Sequence, residues 1–313
     1  MSAKVSEPKR QSKKAWLAER STYLGATDVS AILGEHPYKT PHDVWLDKRG
    51  ELTIVENIPM WLGTHMEPVI AKHFGQRYRI KIRLSHLYRH ERFPFCACNP
   101  DREITWMGMP ALLECKMAGH WTASEFGEDG SDAIPTHYLV QCLWQLIITG
   151  VKVVVLYVLL DNKEFRPYIY TLDPELSTVA HVFPHEDVVK TFTTIVKWWN
   201  RHIVEGLEPE MTGREPDTRY LKSARSTYDN GNRTNTDEET DALCISLKEL
   251  LIEEAKAIGA VAETKNKIKK FMAERGADTL DWGKPEDVNK PFTWRTNTNG
   301  VAVFNHPYRT GKA

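Results

Sequence analysis

The sequence has no CxxC pair, and its five cysteines, at 96, 98, 115, 142 and 244, are an odd count. That usage excludes a disulfide framework and a zinc knuckle. Long apolar runs are missing too: the longest, Val153 to Leu160, is far too short to cross a bilayer, so no membrane contact is expected. No apolar stretch follows the basic residues after Met1, and the absence of a signal peptide predicts a cytoplasmic chain. Glycine-rich phosphate loops are absent: Gly25 and Gly34 flank Ala26 to Leu33 without dinucleotide or Walker spacing, so no nucleotide cofactor is implied. His86 with His90 and His181 with His185 have H-x-x-x-H spacing, but neither pair encloses a glutamate and Pro184 interrupts the second, which argues against zinc. Charge of one sign is not in excess either. With 41 basic and 42 acidic residues the net charge is −1, which removes a global electrostatic case for nucleic acid but not a local basic channel.

What is present is an ordinary core-forming composition, 41% hydrophobic over 313 residues, a length that suggests about two domains. Six basic residues (Lys4, Lys9, Arg10, Lys13, Lys14 and Arg20) crowd the first twenty positions and read as a solvated, partly flexible arm. Trp16 to Gly50 reads as short helices joined by turns, with Thr40-Pro41-His42-Asp43 as a helix start. Thr64-His65-Met66-Glu67 has the capping-box pattern ahead of Val69, Ile70 and Phe74. From Tyr78 the texture becomes strand-like, with Ala111-Leu112-Leu113 a short apolar run, Lys152 to Leu160 a buried strand, and Phe165 to Leu172 its partner across Asp161-Asn162-Lys163. Tyr138 to Thr149 has helical spacing and closes at Gly150. A helix runs from His185 through Trp198 and Trp199, a tryptophan pair that fits helix packing better than base stacking. A polar linker follows from Gly213 to Thr236, then helical periodicity from Asp237 to Arg275 and a terminal hairpin around Asn299-Gly300. This order predicts an α/β (α+β) chain, a mixed central sheet flanked by helices with a helical extension.

The chemistry concentrates in Asn99-Pro100-Asp101 and Leu113-Glu114-Cys115-Lys116. Period-two geometry puts Glu114 and Lys116 on one face of a strand. Asp101, at the mouth of the neighbouring strand, could share a divalent cation with Glu114, and hard oxygen ligands suit Mg²⁺ or Mn²⁺. Lys116 could then position or help deprotonate an attacking water. The same E-x-K tripeptide occurs at Glu7, Glu254 and Glu263 in charged tail or helix, so a surface salt bridge is the competing reading of Glu114 with Lys116. What separates Glu114 is the apolar run before it and the Pro-Asp upstream.

Taken with Arg20, the Gly25-Ala26-Thr27-Asp28 turn, Trp61 to Pro68 and Tyr138-Leu139-Val140-Gln141, the stretch from Trp16 to about Pro209 closely resembles the phage-type recombination exonucleases. These are the lambda exonuclease or YqaJ-like group of the PD-(D/E)xK nuclease superfamily. The resemblance implies a restriction-endonuclease-like sheet, with Asp101 and Glu114 as metal-binding carboxylates, the Cys115 carbonyl as a further ligand and Lys116 as the catalytic lysine. It implies that Glu67 holds a metal-bound or nucleophilic water and that Gln141 braces the site. Arg20 and Thr27 would lie beside the 5′-phosphate of the cut strand. Glu67 could instead close a capping box with Thr64, Gln141 could be an ordinary helix residue, and Arg20 a charge ending the arm. Where family members often have Pro-Asp-Gly, Arg102 follows Asp101 here, which suggests a differently shaped turn. The cysteine spacing does not fit the four-cysteine iron–sulfur cluster of a related branch.

The implied domains are a flexible arm at 1–15, a nuclease domain at 16–212, a polar linker at 213–236 and a helical extension with hairpin at 237–313. The implied activity is Mg²⁺-dependent degradation of the 5′-ended strand of linear duplex DNA by a homotrimeric ring. The 3′ overhang would pass to a single-strand annealing protein, in the host cytoplasm if the gene is a phage's. The alternatives are a structure-specific or restriction-type endonuclease and a DNA-binding scaffold that does not cut. The extension could be a helical hairpin, a DNA-gripping arm or a partner-binding element, and a solvated helix face is the default for its lysines.

Overall fold

Eight consecutive apolar residues, every one buried, form the central strand of a six-stranded sheet. In a computed structural model of the chain its strands are β1 (Arg83–Leu84), β2 (Arg102–Trp106), β3 (Met109–Ala118), β4 (Val153–Leu160), β5 (Glu164–Thr171) and β6 (His181–Val182). They lie side by side in chain order. The pairs β1–β2, β2–β3 and β4–β5 are antiparallel, whereas β3–β4 and β5–β6 are parallel, so the sheet is mixed as expected. Two tight turns set the antiparallel registers. Met107-Gly108 and Asp161-Asn162 both have positive φ at each residue; the first is a two-residue hairpin loop and the second begins the three-residue loop Asp161-Asn162-Lys163.

The longer helices of the larger unit, Met1–Thr227, are α1 (Ala26–Ile32), α2 (Pro41–Arg49), α3 (Ile58–Tyr78), α4 (Thr136–Thr149), α5 (His185–Trp199) and α6 (Glu215–Ser226). The described residues of the whole chain are 3–5, 18–52, 57–128, 131, 133–226, 237–280, 292–296 and 302–305. The sheet separates two apolar layers. Alternate residues Leu112, Ala118, Val154, Leu156 and Val158 pack with α1, α4 and α5, while Ala111, Leu113, Cys115, Val155 and Tyr157 pack with Ile70, Ala71 and Phe74 of α3. A strand buried on both faces needs this continuous Val/Leu run, and the β3–β4 crossover that makes them parallel is α4. Gly150 ends α4 at φ 67°, and Thr40 caps α2 with Pro41 in its first turn, both as the sequence indicates. Trp198 is buried and Trp199 stacks on Phe95 at 4.7 Å, so the pair packs rather than presenting a platform.

Several expectations change. Thr64 does not cap a helix: α3 starts earlier, with the Asn57 side chain accepting from Met60 N–H at 3.0 Å, and the Thr64 hydroxyl donates to the Met60 carbonyl within the helix. Glu67 is therefore mid-helix. Gly25 to Asp28 is not a free turn but the N-terminus of α1, where Gly25 N–H donates to Asp28 at 3.1 Å. The linker at 213–236 contains α6. Its Asp217 is buried, accepts from the Thr40 hydroxyl at 2.5 Å and from Thr212, and so ties the helix to the start of α2. Within the basic arm, Ala3–Val5 pairs antiparallel with Tyr88–His90; its other residues up to 15 and the stretch 227–236 lie outside the described residues.

The smaller unit, Tyr228–Ala313, contains α7 (Glu238–Glu274), one continuous helix of 37 residues rather than a helical hairpin. Asp237 caps it by accepting from Thr240 N–H. Thr279–Leu280, Phe292–Thr296 and Ala302–Asn305 form a three-stranded antiparallel sheet, which contains the expected hairpin; the Asn299-Gly300 turn lies outside the described residues.

Candidate active site

β3 carries Glu114 and Lys116 on the face that meets α4, two residues apart as pleating requires. Their side chains touch, Lys116 Nζ standing 2.6 Å from Glu114 Oε1. Asp101 ends the segment before β2 and reaches across, Oδ2 accepting from Cys115 N–H at 2.7 Å. The β2–β3 register thus brings Asp101, Glu114 and Lys116 to one place: Arg102, the residue after Asp101, pairs with Leu113, the residue before Glu114.

The charges are crowded. Burial and the nearby Glu114 push Asp101 up to about 8, with Lys116 pulling the other way. Burial opposes the Lys116 charge, yet Glu114 and Asp101 outweigh it and hold the ammonium well above its ordinary range. Burial drives the Cys115 thiol well above its usual value, so its sulfur stays protonated and offers no anionic ligand.

Glu67, from the middle of α3, sits close enough to Asp101 to raise its carboxyl further. It is engaged by Arg102, whose Nη1 lies 2.6 Å from Glu67 Oε1 and also donates to the Asp101 carbonyl. Arg102 thus fastens the turn to α3. Gln141 is buried on α4, but the hydrogen bond to Glu114 comes one turn later, from Gln145 Nε2 to Oε2 at 2.7 Å. Sequence reasoning missed Gln145. Its signal was present, a second glutamine four residues on and hence on the same helical face. Gln145 Oε1 is buried without a hydrogen-bond partner among the described residues. Tyr138, also on α4, places its ring 5.8 Å from Lys116 Nζ.

Arg20 and Thr27 belong to a second cluster, around Asp28. This buried carboxylate receives Lys39 at 2.8 Å and Lys48 at 2.7 Å, and Lys48 also donates to the Arg20 carbonyl. Burial alone would raise Asp28, but Lys39, Lys48 and Arg20 hold it far below the usual carboxylate range. A cleft of about 390 Å³ opens beside Tyr138, lined by Tyr38, His137, Thr122, Pro135 and Arg214. Burial holds His36 and His137 down at about 4, and both are neutral near pH 7.

Among the described residues no three His, Cys, Asp or Glu side chains group tightly enough to cage a metal by themselves. The expected set needs only two, Asp101 and Glu114, completed by a main-chain oxygen. Those donors fit a hard cation in kind: both are carboxylates, and Asp101 is under electrostatic pressure that a positive charge would relieve.

Residues 15–152 match the profile of the YqaJ-like viral recombinase domain. The chain is similar to the uncharacterized protein YqaJ of Bacillus subtilis (strain 168), 30% identical over 224 residues that make up 70% of this chain and 65% of that protein. It is also similar to an uncharacterized protein of Acanthamoeba polyphaga mimivirus, 30% identical over 148 residues, 44% of this chain and 27% of the other. The chain therefore spans less than two thirds of the length of either relative. Among solved structures it is similar to an alkaline exonuclease, LHK-Exo, from Laribacter hongkongensis, with a TM-score of 0.46 and 16% identity over 69% of this chain and 100% of that one. A phage-related exonuclease from Haemophilus somnus is similar with a TM-score of 0.42 and 12% identity over 58% of this chain and 96% of the other. Asp101, Glu114, Lys116 and both α4 glutamines fall inside the segment that matches the YqaJ-like viral recombinase domain.

Proposed function

We propose that the protein is a divalent-metal-dependent exonuclease that degrades the 5′-ended strand of linear duplex DNA and leaves 3′ overhangs for annealing-type recombination. The observation that supports this most is the convergence of Asp101, Glu114 and Lys116 on one end of β3, with each carboxylate fixed by its own donor. A structural salt bridge explains Glu114 with Lys116, but it leaves half-buried Asp101 held against the buried Glu114 carboxylate without a purpose.

In this reading Asp101, Glu114 and the Cys115 carbonyl hold Mg²⁺, or Mn²⁺ in its place, which supplies Lewis-acid charge at the scissile phosphate. The Cys115 N–H and Gln145 hold the two carboxylates in place, so little reorganisation is required when substrate arrives. Lys116, protonated beside Glu114, donates to a non-bridging phosphate oxygen. Glu67 keeps one oxygen on Arg102 and turns the other to the attacking water. Arg20 anchors the 5′-phosphate with Thr27 beside it, because a guanidinium binds phosphate through a planar, bidentate fork that lysine lacks. A homotrimeric ring around the duplex and a single-strand annealing protein as receiver of the overhang complete the proposal.

End-labelled linear duplex, carrying either 5′-phosphate or 5′-hydroxyl, tests it with and without Mg²⁺. Wild type digests phosphorylated ends faster, and Arg20→Ala loses most of that preference while retaining slow activity on both ends. A uniform, salt-sensitive weakening with the preference intact would mean that Arg20 is only an arm charge. Cutting of closed circular duplex would replace the exonuclease with an endonuclease.

A further inference from the structure

A soluble helix normally turns its apolar stripe toward a core. In α7, Leu243, Leu247, Leu250, Leu251, Ile258 and Val261 are each between 53% and 65% exposed. They fall on one side of the helix, interrupted by Glu254 and Ala255 between Leu251 and Ile258, and make an apolar face about 28 Å long at 1.5 Å per residue. Toward the other end the same side of the helix is covered: Ile268 is half-buried and Met272 is fully buried. The uncovered face therefore has defined limits, 243 to 261.

Charge along the helix indicates what covers it. Residues 238–255 hold six acids (Glu238, Glu239, Asp241, Glu249, Glu253 and Glu254) against Lys248 alone. Residues 256–274 hold five lysines against Glu263 and Glu274. A helix that is acidic at its start and basic at its end is complementary to its own reverse. A second copy laid parallel would set acid against acid and lysine against lysine. Laid antiparallel and centred on the exposed stretch, it sets Glu238 and Glu239 of each helix beside Lys265 and Lys267 of the other, twice over, with Asp241 near Glu263 as the one like-charge approach, and opposes the helix dipoles. Leu247 then faces the partner's Ile258, and Cys244 the partner's Val261.

We propose that α7 is a self-association element, pairing antiparallel with α7 of a second copy of this chain through the Leu243–Val261 face. The pairing has a two-fold axis and buries the same patch on both copies. It is independent of the nuclease chemistry and of whatever state the larger unit adopts.

Light scattering on the full-length protein, with Leu247→Glu/Leu251→Glu as the comparison, tests it. Glutamate is a good helix former and both positions are exposed, so circular dichroism should show the variant folded. Wild type is expected at twice the mass of the variant at micromolar concentration. Equal masses overturn the proposal, whether α7 then meets another protein or nothing. Orientation is read separately by mild oxidation, since Cys244 is exposed and the other four cysteines are buried. In the antiparallel pair the two Cys244 residues lie about 25 Å apart along the axis, so wild type should not cross-link, whereas Val261→Cys should yield a covalent dimer. Efficient cross-linking of wild type through Cys244 would mean a parallel pair and would overturn the proposal.

Discussion

Asp101 and Glu114 have opposite neighbours, one a backbone N–H and the other a lysine and a glutamine, and this asymmetry defines what each substitution should do. Lys116→Ala removes the charge next to the reacting phosphate and should lower strand degradation by about a thousandfold or more, with circular dichroism unchanged. Gln145→Leu keeps both carboxylates but frees Glu114 to turn. The Mg²⁺ concentration for half-maximal activity should rise by about ten- to a hundredfold, the usual cost of losing a residue that orients a metal ligand. An unchanged Mg²⁺ titration would leave Gln145 as core packing. The second cluster is structural in its energetics. Asp28→Asn leaves buried Lys48, and Lys39 with it, only Asp47 as a counter-charge and should cost up to about 3 kcal/mol in urea unfolding, the low end for breaking a buried pair.

At the scale of elements, α6 holds α2 through side chains that composition could not reveal. Thr40 is at once the cap of α2 and the donor to buried Asp217. Thr40→Ala should therefore cost more than the ~1 kcal/mol typical of a lost cap, because Asp217 loses a partner as well. His36 and His137 set a pH dependence. Their folded values, about 4, lie below the ordinary imidazole value of 6.5, so the unfolded chain binds more protons between the two. Their contribution is complete above pH 6.5 and is lost as the pH falls through 4. The melting temperature of wild type should drop over that window, and a His36→Gln/His137→Gln variant should show a shallower drop.

The same scale explains what the sequence could reveal. β4 was legible because eight buried apolar residues in a row have few other solutions, and α2 and α4 because Thr40-Pro41 and Gly150 punctuate them. Glu114 and Lys116 were legible as neighbours on one strand face. The start of α3 was not, because Asn57 is a weaker signal than the Thr64–Glu67 pattern that imitates a capping box. The α6 segment was hidden by its polar composition: it is anchored by a buried aspartate and by Tyr220 packed 4.7 Å from the His42 ring, long-range partners that no local pattern encodes. Gln145 was passed over for Gln141, since distinguishing them requires knowing which turn of α4 crosses β3.

For the whole molecule, a ring of three chains, each paired through α7 to a chain of a second ring, would place six chains in one particle with dihedral symmetry. The Leu247→Glu/Leu251→Glu variant would then isolate the ring at three times the chain mass of 35.9 kDa. The nuclease reading itself stands or falls on one experiment. Wild type and Lys116→Ala are incubated with linear duplex labelled at either the 5′ or the 3′ end, in Mg²⁺ and in EDTA, beside closed circular duplex. In Mg²⁺, wild type should release the 5′ label as short products from the outset while the 3′ label stays on a strand that shortens progressively. EDTA, Lys116→Ala and the circle should each give no degradation. Degradation by folded Lys116→Ala at near the wild-type rate, or by wild type in EDTA, would contradict the assignment of Asp101, Glu114 and Lys116 as a metal-dependent active site.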